Sequence, residues 1–169
     1  MHPLAGRRGR AYALDCLCYL GIAGAMVPVG LAVRHLPALQ DPWAVVAVSA
    51  LPPVVATVLA AWTESGPRGA TPGKRRVGLT VRGREGDRPR FGRTLARNAV
   101  KIALPWQLGH VVAVLAADGG FERRDPALLT ATALTYPVVG LLVGGVLLGS
   151  GRPLHDRLAG TTVTTAASS

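Results

Sequence analysis

The sequence predicts an all-α integral membrane protein: a bundle of about four transmembrane helices with a basic cytoplasmic loop that contains an amphipathic helix. Three observations predict it. First, 49% of the 169 residues are hydrophobic and 17% are charged, against about 25% charged in a soluble domain. Second, the apolar residues are gathered into four runs, 11–33, 43–62, 102–117 and 128–148, and about 20 apolar residues cross a hydrocarbon core. Third, the cations are one-sided. With the amino terminus inside, the inner segments carry 16 Lys and Arg, and the outer loops carry Arg34, Arg123 and Arg124. That split obeys the positive-inside rule and puts both termini in the cytoplasm. Lipid leaves backbone groups no water, so the runs must be helices or a closed barrel. None alternates with period two, so they are helices. The whole chain, 1–169, reads as one transmembrane domain.

The first run, Ala11–Val33, follows Arg7, Arg8 and Arg10 and contains Asp15. Its length, its carboxylate and the three later runs argue against a cleaved signal peptide. Cys16 and Cys18 lie about 200° apart on a helix, so they neither bridge nor share a metal. The second run contains Pro52-Pro53, where a kink is expected. The loop, 63–101, opens on Thr71-Pro72, a helix cap followed by proline. Val77, Leu79 and Val81 then alternate as a short extended strip, closed by a turn at Gly83–Asp87. Arg90, Arg93, Arg97 and Lys101 recur along one face, which predicts a basic amphipathic helix lying in the interface before the third run. Lys74, Arg75 and Arg76 join those four as residues expected to face lipid headgroups. The third run is short and holds Gln107 and His110, so a tilted or re-entrant segment is an alternative. The fourth carries Gly140-xxx-Gly144 and Gly145-xxx-Gly149, spacings that let helices approach closely within the bundle or between two copies. The tail, 149–169, returns to the cytoplasm.

The net charge of +10 follows from topology and attraction to anionic lipid, and nucleic acid is not an expected partner. The stretch "GATPGK" is not a phosphate loop, because Arg68 and Arg75 stand where that motif needs Gly and Ser or Thr. No catalytic residues, metal ligands or cofactor are expected. His2, His35, His110 and His155 lack metal-ligand spacing.

Asp15 is the residue to explain. It lies about 6 Å inside the apolar run, where an ionised carboxylate is costly without a partner. Arg8 shares its face but sits about 10 Å away along the axis. The tail supplies His155-Asp156-Arg157. The expected network pairs Arg8 with Asp156 and brings Arg157, or a cation of the loop, to Asp15.

Three stretches in order, "RGRAYALD", "TPGKRRVGLTV" with "FGRTLAR", and "LHDRLAGTTV", resemble the RDD family of membrane proteins over nearly the whole chain. That family is named for one arginine and two aspartates, which the match places at Arg8, Asp15 and Asp156. The resemblance implies a prokaryotic inner-membrane protein. It leaves the biochemical role open, with transport of an unidentified ligand suggested for the family. Two functions are weighed. One is a membrane interaction or scaffold protein, its basic face meeting anionic headgroups, with a homo-oligomer possible. The alternative is an oligomeric transporter of a cation, a proton or a small ligand, with Asp15 as the binding group. Gln107, His110 and His155 would form its polar path, and His155 would respond to pH.

Overall fold

The computed structural model describes residues 2–33, 35–148 and 152–166. Arg34, Gly149 and the tail positions 149–151 and 167–169 lie outside the described residues. Four helices are long and apolar enough to cross a membrane, Ala5–Val33, Pro42–Ser65, Phe91–Ala117 and Pro126–Leu147.

The first is a single helix, α1, Ala5–Val33. Its buried positions are Ala5, Arg8, Ala11, Asp15 and Tyr19. Steps of three and four put all five on one stripe. The rest of its length, including Leu17, Leu20, Val27 and Leu31, is exposed, as lipid-facing positions are.

The second crossing is broken. Asp41 caps α2, Pro42–Val48, by accepting from the Trp43 amide, and α3, Leu51–Ser65, begins immediately before Pro52-Pro53. Proline lacks an amide hydrogen and its ring displaces the preceding turn, so the break falls where the pair dictates. On α3 the buried positions are mostly small, Ala56, Thr57, Ala60 and Ala61, and end at Glu64. Small residues let a neighbouring backbone come close. Accordingly the hydroxyl of Thr94 donates to the carbonyl of Ala61 at 2.9 Å.

After α3 come the short helix α4, Pro72–Arg76, capped by Thr71, and strand β1, Leu79–Gly83. The third crossing runs continuously through α5, Phe91–Asn98, a π turn at Ala99–Ala103, and α6, Leu104–Ala117. The π turn precedes Pro105, whose ring crowds the carbonyl one turn earlier, and the widened turn relieves that clash. The expected interfacial helix is therefore corrected: its residues are the opening turns of the third long helix. The fourth crossing is α7, Pro126–Leu147, capped by Asp125. Beyond it lie α8, Leu154–Leu158, and strand β2, Thr161–Thr165.

The alternating strip is strand β1, but its partner is the tail and not a local hairpin. β1 and β2 pair antiparallel, Leu79 opposite Thr165 and Gly83 opposite Thr161. The apolar face of this ribbon, Leu79, Val81 and Val163, covers Ala11 of α1. A second core, Tyr19, Ala56, Ala60 and Ile102, joins α1, α3 and the third helix. The first turns of α1, the 66–90 segment and β2 therefore gather at one end of the bundle.

Candidate functional site

That end holds a cluster of buried charge. Asp156, at the third position of α8, is fully buried. One of its oxygens accepts from Nη2 of Arg8 at 2.5 Å, the other from Nε of Arg97 at 2.7 Å. Arg97, 1% exposed, turns its Nη1 to both oxygens of Glu64 at 2.7 Å. Glu64, also fully buried, accepts from Lys74 Nζ at 2.7 Å and from Asn98 Nδ2 at 2.8 Å. Lys74 reaches the hydroxyl of Thr71 at 3.4 Å. Thr71 donates to Asp15 at 2.6 Å, and the Gly73 amide donates to the other oxygen of Asp15 at 2.8 Å.

The path thus leaves α1 at Asp15 and returns to it at Arg8, passing through α4, α3, α5 and α8. It is a closed ring. Three carboxylates, Asp15, Glu64 and Asp156, balance three cations, Arg8, Lys74 and Arg97. Buried ions require this: desolvation costs several kcal/mol per ion and is offset only when each charge is paired and its remaining hydrogen-bonding positions are filled. A glycine makes the ring possible. A Cβ on Gly73 would lie 2.2 Å from the carbonyl oxygen of Ala11, so only glycine lets α4 seat its amide on Asp15.

The sequence-predicted residues fall unevenly. Arg8 and Asp156 meet. Arg157 does not join them: it is exposed, and its Nε donates to the Arg152 carbonyl. Asp15 is satisfied by the Thr71 hydroxyl and the Gly73 amide. Lys74 and Arg97, expected at the lipid surface, are buried inside the ring, because two carboxylates draw them inward. Arg75, Arg76, Arg90 and Arg93 are exposed, and Lys101 is half-buried with its Nζ 5.0 Å from the centre of the Tyr12 ring. Gln107 donates to the carbonyl of Val46 at 3.0 Å, and His110 stacks on Trp106 and bonds its carbonyl. Both therefore tie helix to helix or turn to turn. His155 lies by Arg97, about 20 Å of helix rise from His110.

Sequence reasoning missed Glu64 as the centre of the ring. A signal was present: Glu64 is the one Asp or Glu between Asp41 and Glu85, and it ends the second apolar run beside the basic loop. Thr94, Arg97 and Asn98 also recur at helical spacing, marking a polar inward stripe.

The tail groups feel the ring strongly. Burial and then the charge of Arg97 lower the pKa of His155 to about 3. Burial beside Arg97 thus favours the neutral side chain. Burial works to raise the pKa of Asp156, and Arg97 leads the charges that outweigh it and hold it at about 2.

The family model for the RDD family matches residues 2–160. The chain belongs to the RDD family. Searches of curated proteins and of solved structures found no match. Among the described residues no group of three or more His, Cys, Asp and Glu is placed to hold a metal ion. The RDD match covers every member of the ring, and the chain is a multi-pass membrane protein.

Proposed function

We propose that this RDD protein is a membrane-anchored interaction protein whose basic end, cytoplasmic by its Lys and Arg distribution, binds the headgroups of anionic lipid in the inner membrane. The observation that carries this reading is the division of its cations into two sets. Arg8, Lys74 and Arg97 are bound to buried carboxylates. Arg75, Arg76, Arg82, Arg84, Arg88, Arg90 and Arg93 are exposed on the same end. Glu85 and Asp87 lie among them and offset only part of that charge. Each exposed cation contributes about 1 kcal/mol near an anionic leaflet. The ring keeps the loop, the tail and α1 in one fixed arrangement, as a scaffold requires. Self-association through α7 belongs to this reading: a Cβ on Gly140 or Gly144 meets open space, whereas Gly145 already lies against Pro153.

A second reading, transport, is favoured by one observation, an ionisable Asp15 within the first crossing helix, since such residues mark ion paths. Reconstitution separates the two. The protein is placed in vesicles with and without phosphatidylglycerol, and amide exchange over 68–93 and dye-reported proton or cation flux are followed together. The expected result is slower exchange in the anionic vesicles, lost when Arg82, Arg84, Arg88 and Arg90 become Gln, and no flux above empty vesicles. A flux that Asp15→Asn abolishes in folded protein would replace this reading with transport.

A further inference from the structure

A cavity of about 270 Å³ opens between α1 and α7 beside the ring. One wall is an apolar stripe of α7, Val139, Val143 and Leu147, at steps of four. The opposite wall is Gly9 and Tyr12 of α1, and the polar end is formed by Arg8, Lys74, Arg97, Lys101 and His155. No carboxylate lines it.

The cations at that end are not equivalent. Arg8, Lys74 and Arg97 each hold a carboxylate of the ring, and the ring is neutral in itself. Lys101, one turn further along the third helix than Arg97, has no ion pair among the described residues; its ammonium rests over the Tyr12 ring. A half-buried cation beside an apolar wall, with its neighbours' anions already committed, is an unbalanced charge that an incoming anion would neutralise. An apolar slot ending in a basic group is complementary to a molecule with a hydrocarbon tail and an acidic head. The volume is just below the usual range of about 300–1,000 Å³ for ligand sites, which suits part of one acyl chain, the rest of a two-chain lipid lying in the bilayer.

We infer that this cavity is a binding site for an anionic phospholipid of the surrounding bilayer, one acyl chain lying along α7 and the phosphate on Lys101. The site is separate from the exposed arginines of the proposed headgroup-binding face. Substituting those arginines would leave it intact, and emptying it would leave their exchange protection unchanged.

The full chain, purified in mild detergent, is exposed to an equal mixture of phosphatidylglycerol and phosphatidylcholine with identical chains, and retained lipid is counted by native mass spectrometry. The wild type is expected to keep one phosphatidylglycerol per chain with roughly tenfold preference, the size of one strong charge-assisted contact. Lys101→Met should abolish the preference and Lys101→Arg should keep it. Gly9→Phe fills the cavity, since a Cβ there meets no atom within 4 Å. It should exclude both lipids while leaving Lys101 in place. Thermal unfolding identifies which variants are folded. Equal retention of the two lipids by the wild type, or undiminished preference in folded Gly9→Phe, would overturn the assignment.

Discussion

Among single residues, Glu64 holds more of the charged end together than any other. It neutralises Arg97 and Lys74 and occupies an amide of Asn98. Glu64→Gln leaves Lys74 without its anion and Arg97 with Asp156 alone, and removing one partner of a buried pair costs about 3–5 kcal/mol. Detergent-solubilised Glu64→Gln should therefore unfold at much lower temperature than wild type, or fail to accumulate; an unchanged melting curve would contradict the geometry. His155 gives a second test at this scale. Below its ordinary pKa of about 6.5, the unfolded chain takes up a proton that the folded chain refuses until about 3. Stability contributed by neutral His155 is thus complete above that window and falls as pH drops through it. Asp156 acts in the same direction at lower pH, since its folded pKa is held at about 2. Melting temperature measured from pH 7 to about 4.5 should decline in the wild type and decline less in His155→Gln. Legibility at this scale follows chemistry. Arg8 and Asp15 stand out because a charge at the edge of an apolar run is costly wherever it falls, and Asp156 because the tail returns a carboxylate to the same side. Arg97 does not, because an arginine on a basic helix has the same sequence spacing whether it faces lipid or a carboxylate on another helix.

At the scale of elements, α4 is the smallest piece with the largest consequence. Five residues long, it stands only because Thr71 caps it and Asp15 takes its Gly73 amide. Gly73→Ala would push a methyl group into the Ala11 carbonyl and the Asp15 carboxylate. The helix must then move off α1, breaking the ring between Thr71 and Asp15. Gly92→Ala, on an open helical surface, is the control and should be neutral or slightly stabilising. Limited proteolysis of both variants in detergent should cleave near residues 68–76 much faster in Gly73→Ala only. The four apolar runs were legible because membrane helices are defined by length and hydropathy, both local properties. The helix starts were less so: α1 begins at Ala5 and the third helix at Phe91, since their first turns are polar residues held by tertiary contacts. The β1 strip was visible as alternation. Its pairing with Thr161–Thr165 was not, since the partner lies some 80 residues away and only the third dimension brings it near. The π turn, in contrast, has a local cause in Pro105 that a closer reading of the proline would have found.

The whole molecule divides into two regimes. Along most of their length the helices meet one another through small or medium side chains, and their large apolar residues point outward. Such packing gains little from the hydrophobic effect inside a bilayer, where lipid is as apolar as leucine. At the charged end the logic reverses. Paired ions, a two-stranded ribbon and the first turns of α1 are fastened together, and a network excluded from water holds a unique geometry when every member is satisfied. Through Asp156 the ring fixes the tail ribbon onto the loop. The most direct measurement places cysteines at the opposed strand positions Arg82 and Thr162, in a chain whose Cys16 and Cys18 are serine, and applies a short thiol crosslinker to intact membranes. Efficient crosslinking, sharply reduced when Asp156→Asn is added, is the predicted result. Absence of crosslinking with Asp156 present, or crosslinking that Asp156→Asn leaves untouched, would contradict it.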